Sequence, residues 1–290
     1  MERGTKMKHK IIAAIMLIIH ALLFSSCTIT LHESNFFFPK TYEKIPDYVS
    51  GNFSMENINF SPEKSVDLSG VILRSKGSKD FILYFYGNGS NIVNSFPRLK
   101  FLNEHYRLNV VCFDYRSYGY STGTAGFKNI MSDGLAIYDH VLKNYAGGGK
   151  IFIYTQSVGT PVGLEIACNR ETAGIIMEAG FTRGADAVAH MTDGQQGIEK
   201  FFVHLKADDY LANYPDPPVE KIKRVKVPLL YVLGTEDEVF PFAMGKELFD
   251  AAGSKDKTFC PIYGKRHSNL DITEGKYLEE TEKFFKARGI

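Results

Sequence analysis

The chain has 290 residues, 44% hydrophobic and 23% charged, the balance of an ordinary globular protein that buries one substantial core. Its 34 Lys and Arg against 33 Asp and Glu leave a formal net charge of +1. No overall field therefore gathers nucleic acid or a strongly acidic partner.

The N-terminus stands apart from that core. Arg3, Lys6, Lys8 and Lys10 precede an apolar run from Ile11 to Phe24, followed by Ser25, Ser26 and Cys27, the order of a secretory signal. The run is shorter than the roughly 18 to 20 apolar residues a helix needs to cross a bilayer. Met7 could equally start the chain, since Lys8, His9 and Lys10 still supply a basic head. Leu22 to Cys27 resembles the lipobox of bacterial lipoproteins, with Phe24 where Leu is usual and His20 an odd guest in the run. The resemblance implies cleavage after residue 26, acylation of Cys27, and attachment to a membrane of the bacterial cell envelope, facing the periplasm or exterior. Thr28 supplies no acidic retention signal, which favours onward transport. The alternative is a plain cleaved signal beside a chance cysteine. Setting Cys27 aside leaves Cys112, Cys168 and Cys260, an odd number that argues against a disulfide framework. Cys112 and Cys168 sit in apolar patterns and read as small buried hydrophobes, neither with metal-ligand spacing.

Residues 27–64, with Phe36-Phe37-Phe38-Pro39, read as a linker and lead-in to a single domain over 65–290. Ser65–Arg74 is the best early strand. Short apolar runs follow at Phe81–Tyr86, Val110–Phe113, Ile151–Tyr154, Gly174–Met177 and Leu229–Leu233, each bounded by turn residues. Such runs are strands buried on both faces of a parallel sheet. Between them, Phe127, Ile130, Met131, Ile137, Tyr138, Val141 and Leu142 keep to one side of a helix, as do Val158, Val162, Ile166 and Ala167, and, near the end, Tyr277, Thr281, Phe284 and Phe285. Strand alternating with helix predicts a doubly wound, mostly parallel α/β sheet. Ligands then bind beyond the C-terminal ends of the strands.

Strand Ile151–Tyr154 runs through Thr155-Gln156-Ser157-Val158-Gly159-Thr160-Pro161 directly into a helical pattern. A serine on so sharp a strand-to-helix turn is held clear of the sheet, and the helix N-terminus behind it offers free N–H groups to a developing oxyanion. The bland alternative is a serine that merely caps a helix. A nucleophilic serine needs a base, and the base needs an acid to fix its tautomer. The chain offers both after strands: Gly234-Thr235-Glu236-Asp237-Glu238-Val239-Phe240-Pro241 follows Leu229–Leu233, and Gly264-Lys265-Arg266-His267 follows the run Thr258–Ile262. Glu236 and Glu238 read as solvated loop charges.

These motifs resemble the α/β-hydrolase family, in its serine esterase and peptidase branch without a large lid. The order Ser, Asp, His is that family's. The resemblance covers about Ser65 to the C-terminus. It implies Ser157 as nucleophile, Asp237 as acid and His267 as base. Phe85-Tyr86-Gly87-Asn88-Gly89 stands where the family supplies its second oxyanion donor, implying the Asn88 and Val158 N–H groups as the oxyanion hole. Phe113-Asp114-Tyr115-Arg116-Ser117-Tyr118-Gly119 is similar to a loop in which Asp and Arg are structural, so Asp114 and Arg116 are read that way. Three positions depart from the family: Thr155 for the first glycine of the nucleophile turn, Tyr86 for a histidine, and Ser117 for a glycine. Tyr86 is expected to alter the loop or add a phenol at the mouth.

A short helical cap is expected at about 181–226, where Phe201, Phe202, His204, Tyr210 and Tyr214 could line an acyl pocket or, as is commoner, simply pack the segment down. The expected activity is hydrolysis of a carboxylic ester, thioester or lipid acyl group, with a small amide or peptide also open, no cofactor and no metal. The rival is a lipoprotein that keeps the fold and only binds a ligand. Oligomeric state is not legible.

Overall fold

The computed structural model describes residues 27–193 and 203–290; the signal and the lipobox before Cys27, together with Phe201 and Phe202, lie outside them. Nine strands of the described residues form one sheet. At its edge the two-residue β2 (Val49–Ser50) and the long β3 (Phe53–Glu63) lead into β4 (Val66–Ser75), then β5 (Phe81–Phe85), β6 (Asn109–Phe113), β7 (Ile151–Gln156), β8 (Gly174–Glu178), β10 (Leu229–Gly234) and β11 (Lys257–Ile262). Their order is β11-β10-β8-β7-β5-β6-β4-β3-β2, parallel from β11 to β6 and antiparallel from β4 outward. β5, β6, β7, β8 and β10 are buried almost throughout, as continuous Val, Ile, Leu and Phe runs require when helices cover both faces. The doubly wound, mostly parallel sheet expected from the sequence is present, and each of the seven strands read there lies within a residue or two of its observed span.

The sheet begins earlier than expected. Residues 53–63, read as lead-in, are a strand paired along β4 from Phe53↔Ser75 to Glu63↔Val66, with a register shift between Phe60 and Glu63. β3 lies beside the sheet edge, flanked on its outer side only by the two-residue β2, and has a largely exposed pattern, so it never needed the apolar run that marks an inner strand.

Helices α1 (Ile92–Tyr106) and α8 (Gly275–Lys286) share one face of the sheet, meeting through the Tyr106 and Phe285 rings at 4.4 Å. On the other face, α2 (Phe127–Val141) packs along α3 (Thr160–Asn169). The cap between β8 and β10 includes α4 (Gly184–Asp193), α5 (Asp209–Ala212) and α6 (Pro218–Lys221). It also carries a strand the sequence reading missed. β9 (Val203–Ala207) pairs in parallel with β1 (Cys27–Leu31), in register Cys27↔Val203 to Leu31↔Ala207. The N-terminal segment is thus stitched to the cap. The remaining helix, α7 (Phe242–Ala251), follows the loop after β10.

Candidate active site

The parallel strands deliver their C-terminal ends to one edge. β7 ends in Gln156, and Ser157 follows with φ +51°. A non-glycine residue in the left-handed region carries strain, and such strain clusters at functional sites. It presents the Ser157 side chain at the turn while the backbone re-enters α3 with Pro161 in its first turn, where a missing N–H costs nothing.

How the turn tolerates Thr155 is visible in its neighbours. The Thr155 side chain is fully buried. A Cβ on Gly163, one turn into α3, would lie 2.2 Å from Thr155 Cγ2, and a Cβ on Gly159 would lie 2.4 Å from the Phe85 carbonyl oxygen. The space that a glycine usually leaves at position 155 has been moved onto the helix. Glycine at 163 makes room for the threonine methyl.

Ser157, Asp237 and His267 are brought together. His267 Nε2 lies 3.1 Å from Ser157 Oγ, and Nδ1 lies 2.8 and 3.1 Å from the two Asp237 oxygens. The Asp237 carboxylate is fully buried; its Oδ1 accepts the Val239 and Phe240 N–H groups at 2.9 and 2.8 Å. Those bonds fix the carboxylate, which with Nδ1 protonated orients Nε2 as an acceptor toward the serine. Phe240 stacks its edge on the imidazole at 5.2 Å. Glu238 is exposed, as a solvated loop charge is; its Oε2 also accepts the His267 backbone N–H at 3.2 Å and lies 3.3 Å from Arg266 Nε, tying the Asp237 loop to the His267 loop.

Asn88 and Val158 both line the cleft beside Ser157 and His267. The Asn88 side chain holds its surroundings: Oδ1 accepts Phe38 N–H at 2.7 Å, Gly89 N–H at 2.8 Å and the Tyr118 hydroxyl at 2.7 Å. Tyr86 does not reach the mouth. It is buried, donating its hydroxyl to Asp114 Oδ1 at 3.0 Å and accepting Tyr115 N–H at 3.0 Å. Asp114 also takes the Tyr42 hydroxyl and Ile92 N–H; burial nevertheless holds its carboxyl above the ordinary carboxylate value. Arg116 grips Asp133 through two nitrogens and reaches Glu63. Ser117, at the other glycine position, takes φ +69° and donates to the Gly123 carbonyl.

A buried charge pair beneath the cleft escaped the sequence reading. Glu178, at the end of β8, is fully buried and accepts from Arg98 of α1, Tyr154, Tyr277 and, at 2.9 Å, Gln156 Nε2. Arg98 also donates to the Tyr154 hydroxyl and the Leu270 carbonyl, both at 3.0 Å. Burial works against the Arg98 charge, but the Glu178 carboxylate together with Tyr154, Tyr84 and Tyr277 outweighs it, holding the guanidinium above its ordinary value. The one signal in the sequence is a glutamate ending an apolar strand run. Of the described cap residues that could have lined an acyl pocket, His204 and Tyr210 are exposed, and Tyr214 packs at a small separate hollow with Phe127 and Met131. Cys112 and Cys260 are buried, Cys168 only partly.

No family model matches the chain. It is 28% identical over 205 residues to the alpha/beta hydrolase domain-containing protein aho-3 of Caenorhabditis elegans, covering 70% of this chain and 56% of that protein, so the match spans little more than half of the relative. It is 26% identical over 213 residues to the human alpha/beta hydrolase domain-containing protein 17B, covering 72% of this chain and 67% of that one. Among solved structures, an esterase of Pyrococcus furiosus superposes with a TM-score of 0.69 at 18% identity, over 87% of this chain and 98% of the esterase. With a sheet of this order and a serine turn at the end of β7, the chain is by fold an α/β-hydrolase.

Proposed function

We propose that the protein is a serine hydrolase that cleaves a carboxylic ester, thioester or related acyl bond through Ser157, His267 and Asp237. The observation that carries this reading is the hydrogen-bonded line from Ser157 Oγ through the imidazole to a buried carboxylate. A serine hydroxyl is a poor nucleophile at neutral pH until a base accepts its proton. In the proposed reaction His267 Nε2 takes that proton as Oγ bonds to the acyl carbon. The carbonyl oxygen gathers negative charge, which this reading assigns to the Asn88 and Val158 N–H groups; one such donor is worth about 10²- to 10³-fold in rate. The bond to the leaving group breaks as the imidazolium returns the proton to it. Water, deprotonated by the same nitrogen, then attacks the acyl-enzyme and releases a carboxylic acid and free Ser157. Asp237 keeps Nδ1 protonated and steadies the imidazolium.

The proposal extends to location. Acylation of Cys27, the first residue of β1, would hold the enzyme on a membrane of the bacterial envelope, with a small-molecule or lipid acyl substrate. Mass spectrometry of the mature N-terminus tests it: a diacylglyceryl adduct on Cys27 supports the anchor, and an unmodified Cys27 removes it.

The activity itself is tested with p-nitrophenyl acetate. Wild-type protein should turn it over, Ser157→Ala and His267→Ala should not, and Asp237→Asn should lose about 10⁴-fold. A Ser157→Ala protein that keeps more than roughly a tenth of the wild-type rate, a margin of about 1.4 kcal/mol in barrier, would sink the reading.

A further inference from the structure

The cleft at Ser157 has two unlike walls. On the α1 side stand Tyr84, Ser95, Arg98 and Gln156; the Tyr84 hydroxyl donates to Gln156, and Arg98 and Gln156 both donate to Glu178. The Arg98 charge is met from within by the Glu178 carboxylate, so this wall offers polar contacts without a free charge. On the α2 side the lining is Leu31, Phe36, Phe38, Phe181, Val239 and Phe240.

The apolar wall is continuous. Phe36 and Phe127 rings are 5.8 Å apart, Phe127 and Phe181 6.1 Å, Phe181 and Phe240 5.2 Å, and Phe240 abuts the His267 imidazole. A row of touching rings thus runs from the N-terminal segment to the base. That segment is fastened at three places. β1 pairs with the cap strand, the Glu33 carboxylate accepts the Phe127 N–H that opens α2, and Phe38 N–H donates to Asn88 Oδ1. Phe36 and Phe37 are buried, whereas Phe38 is 62% exposed although its backbone is tied to the loop beside Ser157. An aromatic ring held exposed at the rim of an apolar cleft is surface ready to be covered. The cleft holds about 730 Å³, far beyond the need of an acetyl group and within the range of pockets that enclose drug-sized ligands.

We propose that residues 31–38 form the outer part of the apolar wall of an acyl-chain site, so that the substrates carry medium or long aliphatic acyl chains lying along Phe36, Phe38, Phe181 and Phe240. The leaving group then lies toward Gln156 and Arg98. This rests on the serine hydrolase reading, and deepens it by assigning the chain-length determinant to the N-terminal segment rather than to the cap tyrosines.

The test compares kcat/KM for p-nitrophenyl esters from acetate to decanoate. Each methylene withdrawn from water is worth about 0.8 kcal/mol, a gain of up to about fourfold, until the chain outgrows the cleft. The decanoate-to-acetate ratio should fall about tenfold in Phe38→Ala and be unchanged in Tyr210→Ala, whose ring lies outside the cleft. Phe38→Ala removes an exposed ring, so folding is not at stake. Binding of decanoic acid to Ser157→Ala protein, measured by calorimetry, reads the same wall without turnover and should weaken about tenfold on adding Phe38→Ala. Equal ratios in wild-type and Phe38→Ala proteins, or decanoate binding indifferent to Phe38, would overturn the inference. Ester turnover absent from wild-type protein that still binds decanoate through Phe38 would remove the hydrolase reading and leave the acyl wall standing.

Discussion

Changing Gly163 to alanine probes the exchange of space between the serine turn and α3. In a helix interior the substitution should help, since glycine is about 0.8 to 1.0 kcal/mol worse than alanine. Here the new Cβ would sit 2.2 Å from Thr155 Cγ2 and 3.2 Å from both Ile153 Cγ2 and Ile175 Cδ1, where carbon contacts settle at about 3.5 to 4.0 Å. The helix must retreat from the sheet by more than about 1 Å, and overpacking of that kind costs typically 1 to 3 kcal/mol. The expected net loss for Gly163→Ala is about 1 to 2 kcal/mol. Thr155→Ser removes the opposing methyl alone, at a cost of about 0.8 kcal/mol. The double variant fills the space vacated by that methyl, keeps the helix gain, and should stand within about 0.5 kcal/mol of wild type. The resulting coupling is about 2 kcal/mol, well above the roughly 0.3 to 0.5 kcal/mol scatter of independent sites. Urea denaturation of the four proteins measures it. Because Thr155 lies two residues before Ser157, the rate of serine modification should fall in Gly163→Ala and recover in the double variant. Stability losses that simply add would refute the account of how threonine is accommodated.

Other perturbations follow from the same contacts. Tyr86→Phe leaves the Tyr115 N–H without its acceptor and should cost about 1 to 3 kcal/mol; an unchanged urea midpoint would contradict the structural role given to that hydroxyl. Glu178→Gln strips the partner from buried Arg98 and should cost about 3 to 5 kcal/mol, against which a loss below about 1 kcal/mol would show that the pair is not isolated from water. Asp216 is held below the ordinary carboxylate value, first by its hydrogen bonds from Arg224 and then by neighbouring Lys221. A depressed folded-state value means the pair's stabilisation is present above the ordinary carboxylate range and lost as pH falls through the depressed value. Arg224→Ala should therefore cost a fraction of a kcal/mol near neutrality, as for an exposed pair, and nothing in acid where Asp216 is protonated; a loss independent of pH would point to packing instead.

What could be read from the sequence tracks where burial leaves a pattern. β5 through β8 and β10 are two-faced strands, so their apolar runs announced them, and the loops that follow β7, β10 and β11 carried Ser157, Asp237 and His267 in order. β3 alternates weakly, contains Pro62 and is mostly exposed, so nothing set it apart from a linker. α1 holds Pro97 and a polar stretch around Asn94 and Ser95, which blurred its period. The Arg98–Glu178 pair joins residues 80 apart in sequence, and no local pattern reports a contact made only by tertiary folding. For the same reason Phe36 and Phe38 looked like lead-in, while the aromatic cap residues could have lined a pocket. Tyr86 and Thr155 were recognised as departures, but their accommodation depends on Asp114 and Gly163, which reach them across the fold.

The most direct test of the central claim is intact-mass analysis after exposure to a small fluorophosphonate. The account predicts a single adduct on wild-type protein, mapped to Ser157, with none on Ser157→Ala and labelling slowed by several orders of magnitude on His267→Ala. Folded wild-type protein that takes up no label, or labels equally without His267, would contradict an activated serine at the end of β7.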